Sequence, residues 1–151
     1  MLNIFSVCSG LKSVSIPNSV TSIGEYTFYD CSSLKSVSIP NSVTSIGGGA
    51  FYNCKGLTSI ILPNSVSSIN MYAFAYCTSL TSFSIPSSVT TIDNGAFEGC
   101  TGLIHIYCHA KTVPDTKADI FSGINIENAT LHVPASALES YKSTYPWSYW
   151  R

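Results

Sequence analysis

Six cysteines, three histidines, eight carboxylates and an abundance of serine are the groups through which this 151-residue chain could do chemistry. Cysteines make disulfides, hold metals or attack as thiolates; histidine beside serine and aspartate suggests acyl transfer. Spacing decides among these readings. Cys8, Cys31, Cys54, Cys77 and Cys100 recur every 23 residues. A ladder of equivalent cysteines with an odd number of rungs cannot pair completely, and cysteine is a small residue that packs well in a core. Free core thiols are therefore expected. No Cys-x-x-Cys pair occurs, and neither a metal nor any other cofactor is expected. The carboxylates Glu25, Asp30, Asp93, Glu98, Asp115, Asp119, Glu127 and Glu139 mostly fall on return segments or in the irregular C-terminal stretch. No nucleophile-elbow sequence is present, and Gly47-Gly48-Gly49 lacks the Lys-Ser/Thr that a phosphate loop requires. The expectation is that this chain is not an enzyme.

Charge narrows the partners. Only 10% of residues are charged and the net charge is −1, with no basic run to meet nucleic acid or anionic lipid. Ile60, Ile61 and Leu62 form the longest aliphatic stretch before Pro63, far short of the roughly 20 residues that span a bilayer.

The cysteine period organises the whole chain. With cysteine as position 1, leucine holds position 4 in Leu11, Leu34, Leu57, Leu80 and Leu103. Position 7 carries Val14, Val37, Ile60, Phe83 and Ile106, and position 9 carries Ile16, Ile39, Leu62 and Ile85. Pro17, Pro40, Pro63 and Pro86 follow at position 10, valine recurs at 13, isoleucine at 16, and a small residue plus Phe at 20 and 21. Alternation around positions 7 and 9 predicts a half-buried strand, which proline closes because it has no N–H to donate. Gly24 and Gly47, replaced by Asn70 and Asp93, stand at position 17, where a left-handed turn is expected. The segment ending in Phe has room for one helical or 3-10 turn that returns the chain to the next strand. A single copy cannot bury its apolar face alone, so stability must be shared along the stack.

The ends differ from the middle. Phe5 sits where position 21 of an earlier copy would lie, so residues 1–7 read as a partial copy of a longer repeat protein. That reading also accounts for the absence of a signal peptide before it. Full copies start at residues 8, 31, 54, 77 and 100; in the last, Thr112-Val113-Pro114 and Ile120-Phe121 fall one residue late. Leu131-His132-Val133-Pro134 repeats positions 7 to 10 as a degenerate final strand. The solenoid is thus expected to cover residues 1–134, with 135–151 as a C-terminal cap. In the cap, Ser136 and Glu139 have capping-box spacing, Leu138, Tyr141 and Tyr145 share a helical face, and Trp147, Tyr149 and Trp150 would cover the last coil.

The unit Cys31, Leu34, Val37, Ile39, Pro40, Val43, Ile46, Gly47, Ala50, Phe51 closely resembles the BspA-like, or Treponema pallidum-type, leucine-rich repeat. The resemblance covers roughly residues 4–134, and the tail is similar to that of gut Bacteroidales members. It implies an α/β repeat solenoid: a right-handed leucine-rich-repeat coil with a parallel concave β-sheet, short return strands, helical or 3-10 turns and a C-terminal cap helix. It further implies an extracellular or cell-surface protein that adheres to a host or matrix protein or glycan. The competing expectation is a structural spacer that displays a neighbouring domain and binds nothing itself. On the predicted concave face, positions 6 and 8 form a serine ladder that ends in His105 and Tyr107, followed by His132 at position 8 of the last strand. His105, Tyr107 and His132 are the candidate ligand-contacting residues.

Overall fold

The computed structural model describes residues 5–150, and the first four residues of the partial copy lie outside that range. Three ladders run along the stack. The first contains β1 (Ser13–Ser15), β3 (Ser36–Ser38), β6 (Ser82–Ile85), β8 (His105–Cys108) and β10 (Thr130–His132). β1 pairs with β3, and β6, β8 and β10 pair in sequence, all in parallel. The second is a five-stranded parallel sheet in the order β2 (Ser22–Ile23), β4 (Ser45–Ile46), β5 (Ser68–Ile69), β7 (Thr91–Ile92), β9 (Asp115–Thr116). These short return strands hold the isoleucine of position 16, which is buried in every coil from Ile23 to Ile92.

The third ladder runs through the segments that end in Phe. Consecutive turns are closed by bonds such as Tyr29 N–H to the Tyr26 carbonyl and Cys31 N–H to the Phe28 carbonyl. Between coils, alternate residues donate forward: Tyr26 to the Gly48 carbonyl, Phe28 to Ala50 and Asp30 to Tyr52, and the next coils repeat this. This pattern needs left-handed residues at positions 19 and 23, and they are Tyr26, Gly49, Tyr72 and Gly95, then Asp30, Asn53, Tyr76 and Gly99. The left-handed conformation expected at position 17 therefore lies elsewhere. Gly47 matters for a different reason: a side chain there would run into the backbone of Ile23 to Glu25 in the preceding coil.

Burial follows the repeat. Position 21 builds a ring stack through the core, with centroid separations of 5.5 Å for Phe5–Phe28, 5.2 Å for Phe28–Phe51, 5.3 Å for Phe51–Phe74, 5.8 Å for Phe74–Phe97 and 6.4 Å for Phe97–Phe121. Offset rings at these distances add to their area burial. Phe74→Ala in the middle of the stack is expected to destabilise by about 3–5 kcal/mol, whereas Ser82→Ala on the open face should stay within about 0.5 kcal/mol. Urea unfolding of both variants checks this; similar costs would mean that the inside and outside of the coil are misassigned.

The cysteines are free. From Cys31 to Cys100 each thiol of the repeat ladder donates to a Phe carbonyl of the preceding coil, at 2.9 Å for Cys31 to Phe5, 3.0 Å for Cys54 to Phe28, 3.1 Å for Cys77 to Phe51 and 3.0 Å for Cys100 to Phe74. Serine has a comparable structural use. The hydroxyls of Ser42, Ser65 and Ser88 donate to the carbonyls of Val20, Val43 and Val66 at 2.6–2.7 Å. Much of the serine content thus stitches coil to coil.

Two further expectations need correction. Ser59–Ile61 keeps the alternation, with Ile60 buried and Ile61 79% exposed, but forms no strand, so the first ladder is split between β3 and β6. In the C-terminal segment, a 3-10 turn (Ala135–Ala137) leads into α1 (Leu138–Ser143), whose N-cap is Ala137 with no side-chain bond, so Ser136 forms no capping box. Glu139 instead meets Lys142 at 3.3 Å. Tyr141 alone of the expected face is buried, while Leu138 and Tyr145 are exposed, because the segment is anchored by rings beyond α1. Trp147 and Trp150 stand edge-on to Phe121, each at 5.2 Å, and Tyr149 stays outside.

Candidate functional site

The end of the first ladder is where the repeat changes character. Position 10 is His109 in place of proline, so a backbone N–H is available, and it donates to the Ile85 carbonyl at 3.0 Å. β8 consequently runs to Cys108, in register with Ile85. Cys108 stands where the other coils have an aliphatic residue, and Tyr141 explains the exchange. The Tyr141 hydroxyl donates to the Ala110 carbonyl at 2.8 Å, which leaves its oxygen to accept the Cys108 thiol at 3.1 Å. Burial raises the pKa of both groups, so the thiol and the phenol remain protonated donors. The strand carrying His105 and Tyr107 is fastened to α1 from beneath.

Above this floor the candidate residues converge. β10 pairs with β8 so that Thr130 faces His105 and His132 faces Tyr107. The rings of Tyr107 and His132 stack at 4.4 Å with 13° between their planes. His105 lies 5.5 Å from His132 and 6.1 Å from Tyr107, centre to centre, and a 3.4 Å contact joins His132 Nε2 to His105 Nδ1. All three side chains are exposed. Val133, Pro134 and the segment from Lys111 to Gly123 leave them open to solvent.

The same patch extends to Ser84, the register neighbour of Tyr107, and to His109, whose Nε2 is 3.0 Å from Ser84 Oγ. His109 occupies a slot that the repeat reserves for proline, and that departure is its only sequence signal. His105 and His109 are four residues apart, the spacing of a metal pair on a helix. On an extended strand the same spacing separates them by about 13 Å, and among the described residues no three His, Cys, Asp or Glu side chains gather to hold a metal. What the patch offers is stacking area on two faces and imidazole and phenol groups that both donate and accept. Ser84 and His109 form a hydroxyl–imidazole contact, and among the described residues no carboxylate is bonded to His109 to complete a triad. At the other end of the same face, Ser13, Ser36, Ser59 and Ile61 line a groove of about 630 Å³ that has only serine hydroxyls for polar contact.

The profile of the BspA type leucine rich repeat region matches residues 2–127 in six copies. The chain belongs to the BspA-type leucine-rich repeat family. Among solved structures of this repeat type, it is similar to a leucine rich cell surface protein from Faecalibacterium prausnitzii, at 32% identity and a TM-score of 0.69, over 84% of this chain and 34% of that one. A leucine-rich repeat protein from Bacteroides capillosus shares 34% identity, with a TM-score of 0.59, over 66% of this chain and 78% of that one. The leucine rich repeat protein of T. pallidum shares 28% identity, with a TM-score of 0.61, over 82% and 69%. The chain spans about a third of the length of the Faecalibacterium protein. No curated protein matches it. As a BspA-type solenoid, the molecule presents repeated surfaces of parallel backbone, and no helix among the described residues is long and apolar enough to cross a membrane.

Proposed function

We propose that this chain is a non-catalytic binding module of a secreted or cell-surface protein, and that it takes a host or matrix protein or glycan on the strand face at His105, Tyr107 and His132. The observation that carries this reading is the exposed Tyr107–His132 stack at 4.4 Å, set beside His105 on strands locked in register. Rings already held in place give up little side-chain freedom on binding, and tyrosine favours recognition surfaces because it joins apolar area to a polar tip. The rest of the face is a neutral serine ladder, which would admit a partner without charge repulsion.

The test is direct binding of the purified chain to immobilised matrix proteins and host glycans, compared with Tyr107→Ala/His132→Ala. The double variant should keep its circular dichroism spectrum and bind at least tenfold more weakly, about 1.4 kcal/mol. Equal affinity in the folded variant would move the site elsewhere. No saturable binding to any of them would favour the spacer.

A further inference from the structure

The third ladder builds a surface of a different kind from the strand face. Position 19 alternates Tyr26, Gly49, Tyr72, Gly95, all left-handed. A side chain on Gly49 would overlap the Tyr26 ring, and one on Gly95 would overlap the Tyr72 ring. Each tyrosine therefore sets the Cδ1–Cε1 side of its ring against the glycine of the next coil, which fixes its ring. Gly99 seats Tyr76 in the same way. Non-glycine residues in this conformation are uncommon, and bulky ones are more so, which directs attention to function.

These rings join others. Tyr29 and Tyr52 stack at 5.3 Å and 13°, Tyr26 meets Tyr29 edge-on at 5.8 Å, and Tyr52 meets Tyr72 at 6.5 Å and Tyr76 at 5.3 Å. Five tyrosines thus pave one side of three successive coils, with Tyr26 46% and Tyr29 36% exposed. The turn segments of the first four copies also carry Glu25, Asp30, Asp93 and Glu98 and no lysine or arginine, and the fifth adds Lys117 and Asp119. Asp93 is met by Lys117 at 3.8 Å, Asp30 accepts from Asn53 and Glu98 accepts the Tyr76 hydroxyl at 2.8 Å; Glu25 is exposed.

We infer that this tyrosine pavement is a docking surface for a proline-rich segment in the polyproline II conformation that carries a basic residue. The repeat distance supports that occupant. Tyr26 and Tyr72 are two coils apart, about 9.5 Å at the usual strand spacing, and the core rings of the same coils, Phe28, Phe51 and Phe74, are spaced by 5.2 and 5.3 Å. A polyproline II helix turns once in three residues at about 3.1 Å each, about 9.3 Å. One face of such a helix meets a ring on every turn to within about 1 Å. An extended β-peptide repeats its face every 6.6–6.8 Å or so and would lose register. Polyproline II has no internal hydrogen bonds, so its carbonyls are free to accept from tyrosine hydroxyls, and aromatic-lined surfaces are its usual receptors. The exposed carboxylate of Glu25, next to Tyr26 in the chain, matches a Lys or Arg on the ligand.

The probe is a decaproline peptide flanked by lysines, compared with a Gly/Ser peptide of equal length and charge and with a neutral oligosaccharide, by titration against the whole chain. The proline peptide should bind saturably and at least tenfold more tightly than the Gly/Ser peptide. Tyr26→Asn/Tyr72→Asn should reduce that binding at least tenfold, since asparagine accepts the left-handed backbone. Tyr107→Ala/His132→Ala should leave it unchanged, which separates this site from the strand-face cluster. If the asparagine variant does not fold, Tyr29→Ala, at a position without positive φ, must show the loss instead. No preference over Gly/Ser, undiminished binding in a folded tyrosine variant, or preference for the oligosaccharide would each overturn the inference.

Discussion

Removing the residues after Pro134 should abolish cooperative folding and leave an aggregating chain. The stack of position-21 rings has no intrinsic end, because each Phe presents a face on which another ring can lie. Phe121 is the last of them, and Trp147 and Trp150 close it by standing at 80° and 81° to it, with Tyr141 at 85° to Trp147. These three rings are at most 9% exposed. The indole N–H groups of Trp147 and Trp150 are buried without a hydrogen-bond partner, so the contact works through ring packing alone. Deleting one large buried aromatic costs about 3–5 kcal/mol, and a domain of this kind has about 5–15 kcal/mol in total. Loss of all three also strips the Cys108 thiol of its acceptor and uncovers an apolar coil. Circular dichroism melting and light scattering of the 1–134 fragment check the outcome. A soluble fragment with a sharp transition would refute the capping role. Trp147→Ala in the full chain should fall in the single-ring range.

Most of the coil was legible because its determinants are one-residue choices repeated at fixed intervals. Leucine at position 4, Val, Ile or Phe at 7, isoleucine at 16 and Phe at 21 each point inward in coil after coil. The placement of His132 opposite Tyr107 was legible for the same reason: Leu131, Val133 and Pro134 restore the phase of the strand after a stretch that loses it. The one-residue delay in the fifth copy reappears as pairing of Thr91 with Asp115, a separation of 24 residues in place of 23. What escaped the sequence lies at positions where residue type varies. Position 19 reads Tyr, Gly, Tyr, Gly, and only the backbone shows that both types serve one left-handed site, with each ring using the space its neighbouring glycine leaves. Position 17 holds Gly, Gly, Asn and Asp, types that tolerate positive φ, yet Gly47 is there for close backbone approach. Ser59–Ile61 has the strand alternation without the pairing, because alternation reports which side is buried and says nothing of backbone hydrogen bonds to neighbouring coils. In the cap, Ser136 and Glu139 have the right spacing, but docking of Tyr141 and the two tryptophans sets where α1 begins.

Stability should fall steeply between pH 9 and pH 12, because the thiols of the repeat ladder cannot ionise where they are. Burial, the largest influence, pushes Cys54 and Cys100 from an ordinary value of 9.0 up to about 12, and raises Cys77 well above that ordinary value. Their hydrogen bonds to Phe28, Phe74 and Phe51 run from S–H to a carbonyl, and a thiolate has no proton to give. The sign follows from proton binding. Below pH 9 folded and unfolded chains both hold these protons, and the stabilisation is fully present. Above it the unfolded chain releases them while the folded chain keeps them, so stability falls by about 1.4 kcal/mol per pH unit for each such thiol. From pH 9 to pH 12, Cys54 and Cys100 together remove about 8 kcal/mol, comparable with the whole stability of a small domain. The wild-type slope alone does not identify the source. Cys54→Ser/Cys100→Ser isolates it: serine retains a donor for each Phe carbonyl and does not ionise. Urea unfolding at pH 8.5, 9.5 and 10.5 under reducing conditions should show a steep loss for the wild type and a markedly shallower one for the double variant. Equal slopes in the two proteins would show that the cysteine ladder is not what makes the folded coil sensitive to alkali.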